Sequence, residues 1–204
     1  MKMRVFLTIL ASLLLFTTSA KADRIAASNE VVISMVEAAQ AILRDTNLDE
    51  TQTRIALKET LNKYFDVPGI TRATAGQYWR KATAEQQQRY TELFTDVLTN
   101  LASGQFEWLS GLEFVPTKST EKGPKMVLVG GRIVDRTGVE PDAIVNWRVA
   151  TREGQVPAII DIEVENISLL ITQRQENQAI IRKNGGDFGA LITSLEEQVA
   201  SFNN

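Results

Sequence analysis

The chain of 204 residues contains no cysteine and no histidine. Without cysteine it can form no disulfide, no zinc–thiolate site and no thiol nucleophile. Without histidine, a Ser-His-Asp triad and metal ligation by imidazole are excluded as well. These two absences remove the commonest routes to catalysis and leave carboxylates as the candidate catalytic groups.

The first 22 residues have the pattern of a secretory signal peptide. Lys2 and Arg4 give a positive start, an apolar run follows over residues 5–16, and Ala20-Lys21-Ala22 is a small-x-small cleavage motif. The run is shorter than the roughly 20 apolar residues that span a bilayer. We predict cleavage after Ala22, export to the periplasm and one domain over residues 23–204. The alternative is a buried N-terminal helix.

Positive charge is scarce in the predicted mature chain. Cleavage would remove Lys2, Arg4 and Lys21, which leaves 19 of the 22 basic residues against 25 acidic ones and a net charge of −6. Such a chain is poorly suited to nucleic acid or to tight docking on anionic lipid headgroups. We therefore expect no nucleic-acid partner and only transient proximity to a membrane.

Helical periodicity dominates the first half of the chain. Apolar residues between about Ile25 and Arg44 share one face of a helix, and Asp49 is placed to cap a second one. A short helix is expected over residues 70–75. The sequence Thr83-Ala84-Glu85-Gln86 matches a capping box and opens a longer helix that ends near Gly104.

Alternating patterns dominate the second half, over residues 112–118, 125–135, 143–151 and 156–165. Turn residues separate the four segments, which predicts an antiparallel meander. Gly130-Gly131 predicts a bulge or a sharp bend in the second strand. A helix follows directly after the fourth strand, and Ser168 is placed to cap it. A last helix covers about residues 187–202.

These elements predict an α+β fold. Its N-terminal and C-terminal helices pack on one face of a strongly curved, four-stranded antiparallel sheet, of the cystatin-like or nuclear-transport-factor-like kind.

Asp161, Glu163 and Glu165 share one face of the fourth strand. A catalytic pair is one interpretation, and it would make the chain a hydrolase that uses Asp161 or Glu163. Because Arg148 and Arg152 belong to the neighbouring strand, we prefer a solvated sheet face with cross-strand ion pairs. We expect no metal site and no catalytic residues.

The apolar residues allow two interpretations, a filled core or a ligand cavity between helices and sheet. Strand parity places Val145, Trp147 and Val149 on one face of the third strand. It places Ile160, Ile162 and Val164 on one face of the fourth. Periodicity alone cannot distinguish a filled core from a hollow one.

Three blocks of the sequence resemble a known family. The first runs from Phe65-Asp66-Val67 through Tyr78-Trp79-Arg80-Lys81-Ala82-Thr83 to Gln86, Tyr90, Leu93 and Phe94. The second is Ala143-Ile144-Val145-Asn146-Trp147-Arg148-Val149, and the third is Asp161-Ile162-Glu163-Val164-Glu165-Asn166-Ile167-Ser168-Leu169 to Arg174. Their order and spacing resemble the MlaC family of periplasmic phospholipid-binding proteins, also called the toluene-tolerance family. The likeness spans essentially the whole predicted mature chain.

The chain departs from the family pattern at three positions. Asn166 stands where the family usually has glycine, and we expect the turn to be kept because asparagine tolerates left-handed backbone. Pro157 and Asn177 stand where aromatic residues are common. These two changes affect the expected rim of the pocket.

The resemblance implies a carrier without enzymatic activity or cofactor, whose cargo is a phospholipid held by its acyl chains. It implies transfer between an outer-membrane lipoprotein–porin complex and the lipid-binding subunit of an inner-membrane ABC transporter, which maintains outer-membrane lipid asymmetry. An exported interaction module with a solid core is the alternative.

Strand parity and the likeness together give the expected lipid contacts: Phe65, Ile70, Trp79, Phe94, Val97, Val145, Trp147, Val149, Ile160, Ile162, Val164 and Leu169. We expect lipid release to need a partner that separates the Trp79 region from the helix start at Ser168–Arg174.

Overall fold

The computed structural model describes residues 3–104, 112–135, 138 and 141–202, with side chains from residue 22 onward. Its helices are α1 (Met3–Arg44), α2 (Glu50–Tyr64), α3 (Val67–Ala75), a 3-10 helix (Gly76–Lys81), α4 (Ala84–Gly104), α5 (Leu169–Lys183) and α6 (Gly189–Ser201). Its strands are β1 (Leu112–Pro116), β2 (Thr120–Glu121), β3 (Met126–Asp135), β4 (Ala143–Ala150), β5 (Ala158–Val164) and β6 (Ile167–Ser168).

The strands form one open antiparallel sheet in the order β1-β3-β4-β5-β6, with β2 also paired to β3. The α+β fold and the meander are confirmed. Over the described residues the sheet has six strands rather than four, because the two-residue strands β2 and β6 are too short to produce an alternating pattern in the sequence.

Capping residues start the helices where the sequence places them. Asp49 and Gln52 form a reciprocal capping box at α2, and Thr83 and Gln86 form another at α4. Ser168 caps α5 by accepting from the Ile171 N–H at 3.0 Å. The short helix α3 begins earlier than expected, at Val67 rather than residue 70. Asp66 caps it from outside, and proline is tolerated in a first helical turn.

The sheet irregularity lies elsewhere than expected. Pairing of β3 with β4 continues unbroken through Gly130 and Gly131. A Cβ atom at Gly131 would lie 2.1 Å from the Phe114 ring, so this glycine makes room for an aromatic side chain of β1. Of the bulge or sharp bend expected here, the bulge is therefore absent from the pairing of β3 with β4.

A register shift occurs instead between β4 and β5. Arg148 pairs with Asp161 and Val149 pairs with Ile159, which leaves Ile160 as an extra residue. Ile159 is fully buried whereas Ile160 is only partly so. The parity expected for Ile160 is wrong because a one-residue bulge inverts the alternation on one side of it.

Two groups of buried apolar residues hold the fold together. The helical cluster contains Ala75, Tyr78, Tyr90, Leu93, Phe94, Val97, Ile181, Phe188, Leu191 and Leu195. The sheet cluster contains Val32, Met35, Val127, Val129, Val145, Trp147, Val149 and Ile159. The first joins α3 to α6, and the second packs α1 against the sheet.

Helix α1 runs without a break past the expected cleavage point after Ala22. The signal peptide stays a prediction, since the side chains of residues 1–21 lie outside the described part. Within the described part of the chain, no helix is both long enough and apolar enough to cross a membrane.

Candidate functional site

A cavity of about 300 Å³ lies between the N-terminal helices and the sheet. Helices α1 and α2 and the end of α4 form one side of it. Strands β1, β3, β4 and β5 form the other. Its volume is at the lower end of the range for ligand-binding cavities.

The described lining of this cavity is overwhelmingly apolar. Its polar side chains are Gln40, Thr60, Thr99 and Glu113. The Gln40 amide donates to the Leu112 carbonyl oxygen at 2.7 Å, and both threonine hydroxyls donate to carbonyl oxygens of their own helices. With these polar groups engaged by the protein, the cavity suits hydrocarbon better than a polar ligand.

Three of the expected lipid contacts line this cavity: Phe65, Trp147 and Ile162. Trp147 is almost fully buried, and its ring meets the Phe114 ring edge-on with centroids 6.1 Å apart. The indole N–H of Trp147 has no hydrogen-bond partner among the described residues. An indole held without a partner is consistent with an apolar environment.

Nine expected contacts lie outside this lining: Ile70, Trp79, Phe94, Val97, Val145, Val149, Ile160, Val164 and Leu169. The first four belong to the helical cluster or pack against it. The two valines of β4 are buried in the sheet cluster, and Val164 packs against it. Leu169 is 47% exposed at the start of α5. Whether any of these residues touches lipid stays a prediction.

A large part of the cavity wall comes from helices α1 and α2, which the expected lipid contacts did not include. The lining residues from these helices include Met35, Val36, Ala39, Leu43, Leu57 and Leu61. The apolar stripe of α1 is visible in the sequence. Sequence periodicity shows that such a stripe is buried, but not whether the space facing it is filled.

Asp161, the first of the three acidic residues expected on one face of the fourth strand, is engaged in hydrogen bonds within the protein. Asp161 Oδ1 accepts from the N–H groups of Ile162 and Leu170, and Oδ2 accepts from the Ser168 hydroxyl and the Arg148 guanidinium. The residue is 5% exposed. The expectation of a solvated face is therefore wrong for Asp161, because the β5–β6 turn folds α5 over it.

The expected cross-strand ion pairs are present for Arg148, which binds Asp161 at 3.1 Å and also contacts Glu163. Arg152 pairs instead with Asp66, at 3.0 Å. A carboxylate that already accepts four hydrogen bonds has no capacity left for a substrate proton. Among the described residues, no group of three acidic side chains could hold a metal ion.

A buried polar network lies within the helical cluster. The Tyr90 hydroxyl is 2.8 Å from Thr74 Oγ1 and accepts from the Asn177 amide at 2.7 Å. Burial raises the pKa of Tyr90 above its ordinary value, against a smaller lowering by these two hydrogen bonds. The network joins α3, α4 and α5, and none of its members lines the cavity.

The left-handed turn before α5 is kept. Asn166 has φ 65° and Glu165 has φ 49°. Asparagine at the position where the family usually has glycine thus adopts the backbone conformation that the sequence predicts.

The two segments expected to separate on release are not cavity walls. Trp79 packs against the helical cluster, and none of the residues of Ser168–Arg174 lines the cavity. The walls that face each other across the cavity are α1 and α2 on one side and the sheet on the other.

Comparisons with known proteins agree with this architecture. A solved structure of a phospholipid-binding protein from Ralstonia solanacearum, in complex with a phospholipid, matches with a TM-score of 0.76 and 20% sequence identity. The match covers 87% of this chain and 99% of that one, and shows a shared fold. No protein with a curated description matches the chain. The sequence model of the MlaC protein family matches residues 33–197, and the chain therefore belongs to the MlaC family.

Proposed function

We propose that the chain is a periplasmic phospholipid carrier that holds acyl chains in the cavity between α1, α2 and the sheet. The observation that carries this proposal is the apolar cavity of about 300 Å³ on the inner side of the sheet. Family membership and the fold shared with a phospholipid-bound neighbour support it. The signal-peptide pattern supports the periplasmic location.

The energetics favour a carrier that does no chemistry. Each methylene removed from water contributes about 0.8 kcal/mol, so an acyl chain of ordinary length contributes on the order of 10 kcal/mol. A phospholipid therefore leaves a membrane slowly on its own. A protein cavity lowers the free-energy cost of removing the acyl chains from the membrane, and it needs no chemical step to do so. We further propose exchange with an outer-membrane lipoprotein–porin complex and an inner-membrane ABC transporter, in support of outer-membrane asymmetry.

The two rival functions fit the geometry less well. A hydrolase built on Asp161 would need a free carboxylate, and this one is buried with four hydrogen bonds. An interaction module with a solid core would not need a cavity of this size.

The decisive experiment is native mass spectrometry of protein purified without detergent, followed by organic extraction. We expect an added mass of phospholipid size that extraction removes, and uptake of labelled phospholipid from vesicles. A clean apo mass without uptake would contradict the carrier.

A matched pair of variants assigns the lipid to this cavity. Ala39 lines the cavity from α1, whereas Ala41 is exposed on the same helix. We expect Ala39→Trp to fill the space and abolish lipid uptake, and Ala41→Trp to take up lipid normally. Equal uptake by both variants would place the lipid elsewhere.

Release requires the two walls of the cavity to separate. Arg24 of α1 contacts Glu121 of β2, outside the cavity lining. The pair Arg24→Cys and Glu121→Cys, joined by a bis-maleimide in this cysteine-free chain, should hold α1 on the sheet. We expect the linked protein to retain lipid and transfer none.

The control is a similar link that leaves the cavity walls free. Arg89 of α4 pairs with Glu196 of α6 at 2.7 Å. Linked cysteines at these two positions should leave transfer between vesicles unchanged. Normal transfer by the α1-linked protein would show that opening occurs elsewhere.

A further inference from the structure

A second cavity, of about 190 Å³, also borders Phe65. It is bounded by α3 at Asp66 and Pro68 and by the segment that joins β4 to β5. Among the described residues, Phe65 is the one residue that lines both cavities. The two spaces are therefore neighbours that meet at this residue.

The backbone at Phe65 and at the next residue is held by hydrogen bonds. The Phe65 N–H donates to the Leu61 carbonyl oxygen at 3.0 Å and closes α2. The next N–H, of Asp66, donates to the Ile159 carbonyl oxygen at 2.9 Å and ties the segment to β5. The side chain is thus the part of this wall that a ligand or a substitution can change.

The two cavities differ in polarity. The first cavity is apolar, whereas the second contains the ion pair between Arg152 and Asp66, 3.0 Å apart. The Asp66 carboxylate also accepts from the Gly69 N–H at 3.0 Å. Pro68, Ala150, Val156 and Ala158 supply apolar surface beside the pair. Hydrocarbon that passed Phe65 would still find some apolar contact.

We propose that Phe65 is the partition that ends the apolar cavity and sets the length of acyl chain that the protein accepts. This inference rests on the proposed carrier function. Removing the ring joins the two cavities, so the end of a longer chain gains burial that the wild-type protein denies it. Each additional buried methylene favours binding about fourfold.

The test is competition among phospholipids of one headgroup that differ only in acyl-chain length. Lipid-free protein is equilibrated with vesicles of the mixture, and the bound lipids are identified by native mass spectrometry and extraction. We expect Phe65→Ala to raise the ratio of long-chain to short-chain lipid severalfold over wild type. Phe65→Leu should shift the ratio less and in the same direction.

Phe65→Trp should shift the ratio of long-chain to short-chain lipid in the opposite direction, because it keeps the apolar bulk of the wall. It should shift the bound lipids towards shorter chains. Phe114→Ala is the matched control, because Phe114 lines the first cavity and not the second. It widens the cavity by a similar amount without joining the two spaces, and should leave the chain-length ratio near that of wild type.

Three outcomes would overturn the partition. Unchanged ratios in the Phe65 variants would show that the ring sets no limit. An equal shift in Phe114→Ala would show that total volume, rather than this wall, selects the chain. If the wild-type protein binds no phospholipid at all, the carrier function fails, and the partition fails with it.

Discussion

The helical cluster is built around aromatic rings, whereas the sheet cluster is built mainly from valine. In the helical cluster, the Tyr90 ring packs against Phe94, Phe188 and Trp79 with centroids 5.8, 5.6 and 6.4 Å away. Five of the eight buried members of the sheet cluster are valines. The cavity takes part of its lining from the sheet cluster and none from the buried members of the helical cluster.

The difference shows how one chain makes a filled core and a hollow one from ordinary apolar residues. None of these five valines lines the cavity, which the sheet borders with larger side chains such as Trp147 and Ile162. The facing helices present small side chains at Ala39 and Ala102. Atoms that line the resulting void lack dispersion partners, and a ligand that fills it restores them.

The largest expected effect on stability is at Asp161, where the two regions are connected. Its hydrogen bonds link the sheet to the start of α5, which belongs to the helical side. Asp161→Ala leaves two N–H groups and the Ser168 hydroxyl without their acceptor and Arg148 with one carboxylate. We expect a loss of about 3–5 kcal/mol in the free energy of unfolding, measured by urea denaturation.

Glu163→Gln is the control for Asp161→Ala. Glu163 shares Arg148 with Asp161 but caps no helix. We expect it to cost about 1 kcal/mol. Similar losses for the two variants would mean that the charge on Arg148, rather than the tie to α5, is what matters.

The second prediction compares leucine truncations in the two regions. Leu195 is buried in the helical cluster, and Leu57 is buried beside the cavity. We expect Leu195→Ala to cost about 3 kcal/mol or more in lipid-free protein, and Leu57→Ala about 1–2 kcal/mol. Leu57 borders a void and so makes fewer contacts than Leu195, and its truncation to alanine therefore removes fewer of them. Equal losses in urea denaturation would show that the cavity is closed when it is empty.

Local sequence signals predicted much of the fold. The caps at Asp49, Thr83 and Ser168 depend on a few neighbouring residues, and each is found where expected. The meander follows from turns between alternating segments. The bulge at Ile160 could not be predicted, since it depends on how two strands pair and leaves no mark in β5 alone.

The site was less predictable than the fold. Phe65, Trp147 and Ile162 line the cavity, but Trp79 and Phe94 pack in the helical cluster. An apolar stripe indicates burial in either place. Whether a buried side chain borders a void depends on the sizes of the side chains opposite it, and these become known only with the tertiary structure.

The third prediction adds volume instead of removing it. Ala75 is fully buried in the helical cluster, and Ala39 lines the cavity. Ala75→Leu should destabilise the protein by about 1–3 kcal/mol through overpacking. Ala39→Leu should leave the lipid-free protein as stable as wild type or more so, because the added atoms enter empty space. Thermal unfolding of both variants tests this difference, and destabilisation by Ala39→Leu similar to that by Ala75→Leu would contradict it.

The smallest effect concerns the polar network inside the helical cluster. Tyr90→Phe removes the hydroxyl that accepts from Asn177, while Thr74 keeps its bond to the Ile70 carbonyl oxygen. We expect a loss of about 1 kcal/mol near neutral pH. Tyr78→Phe, in the same cluster but without a described hydroxyl hydrogen bond, should stay within about 0.5 kcal/mol of wild type.

The pH dependence of this variant distinguishes a buried hydroxyl from a solvated one. Burial raises the pKa of Tyr90 in the folded protein, while an unfolded tyrosine ionises near pH 10. The stabilisation from keeping Tyr90 neutral is therefore complete below about pH 10 and is lost as the pH rises further. The wild-type protein should lose its advantage over Tyr90→Phe above that pH, by at most about 1.4 kcal/mol per pH unit. Parallel curves for the two proteins in alkaline urea denaturation would show that water reaches Tyr90, and that the helical cluster is not the filled region of the molecule.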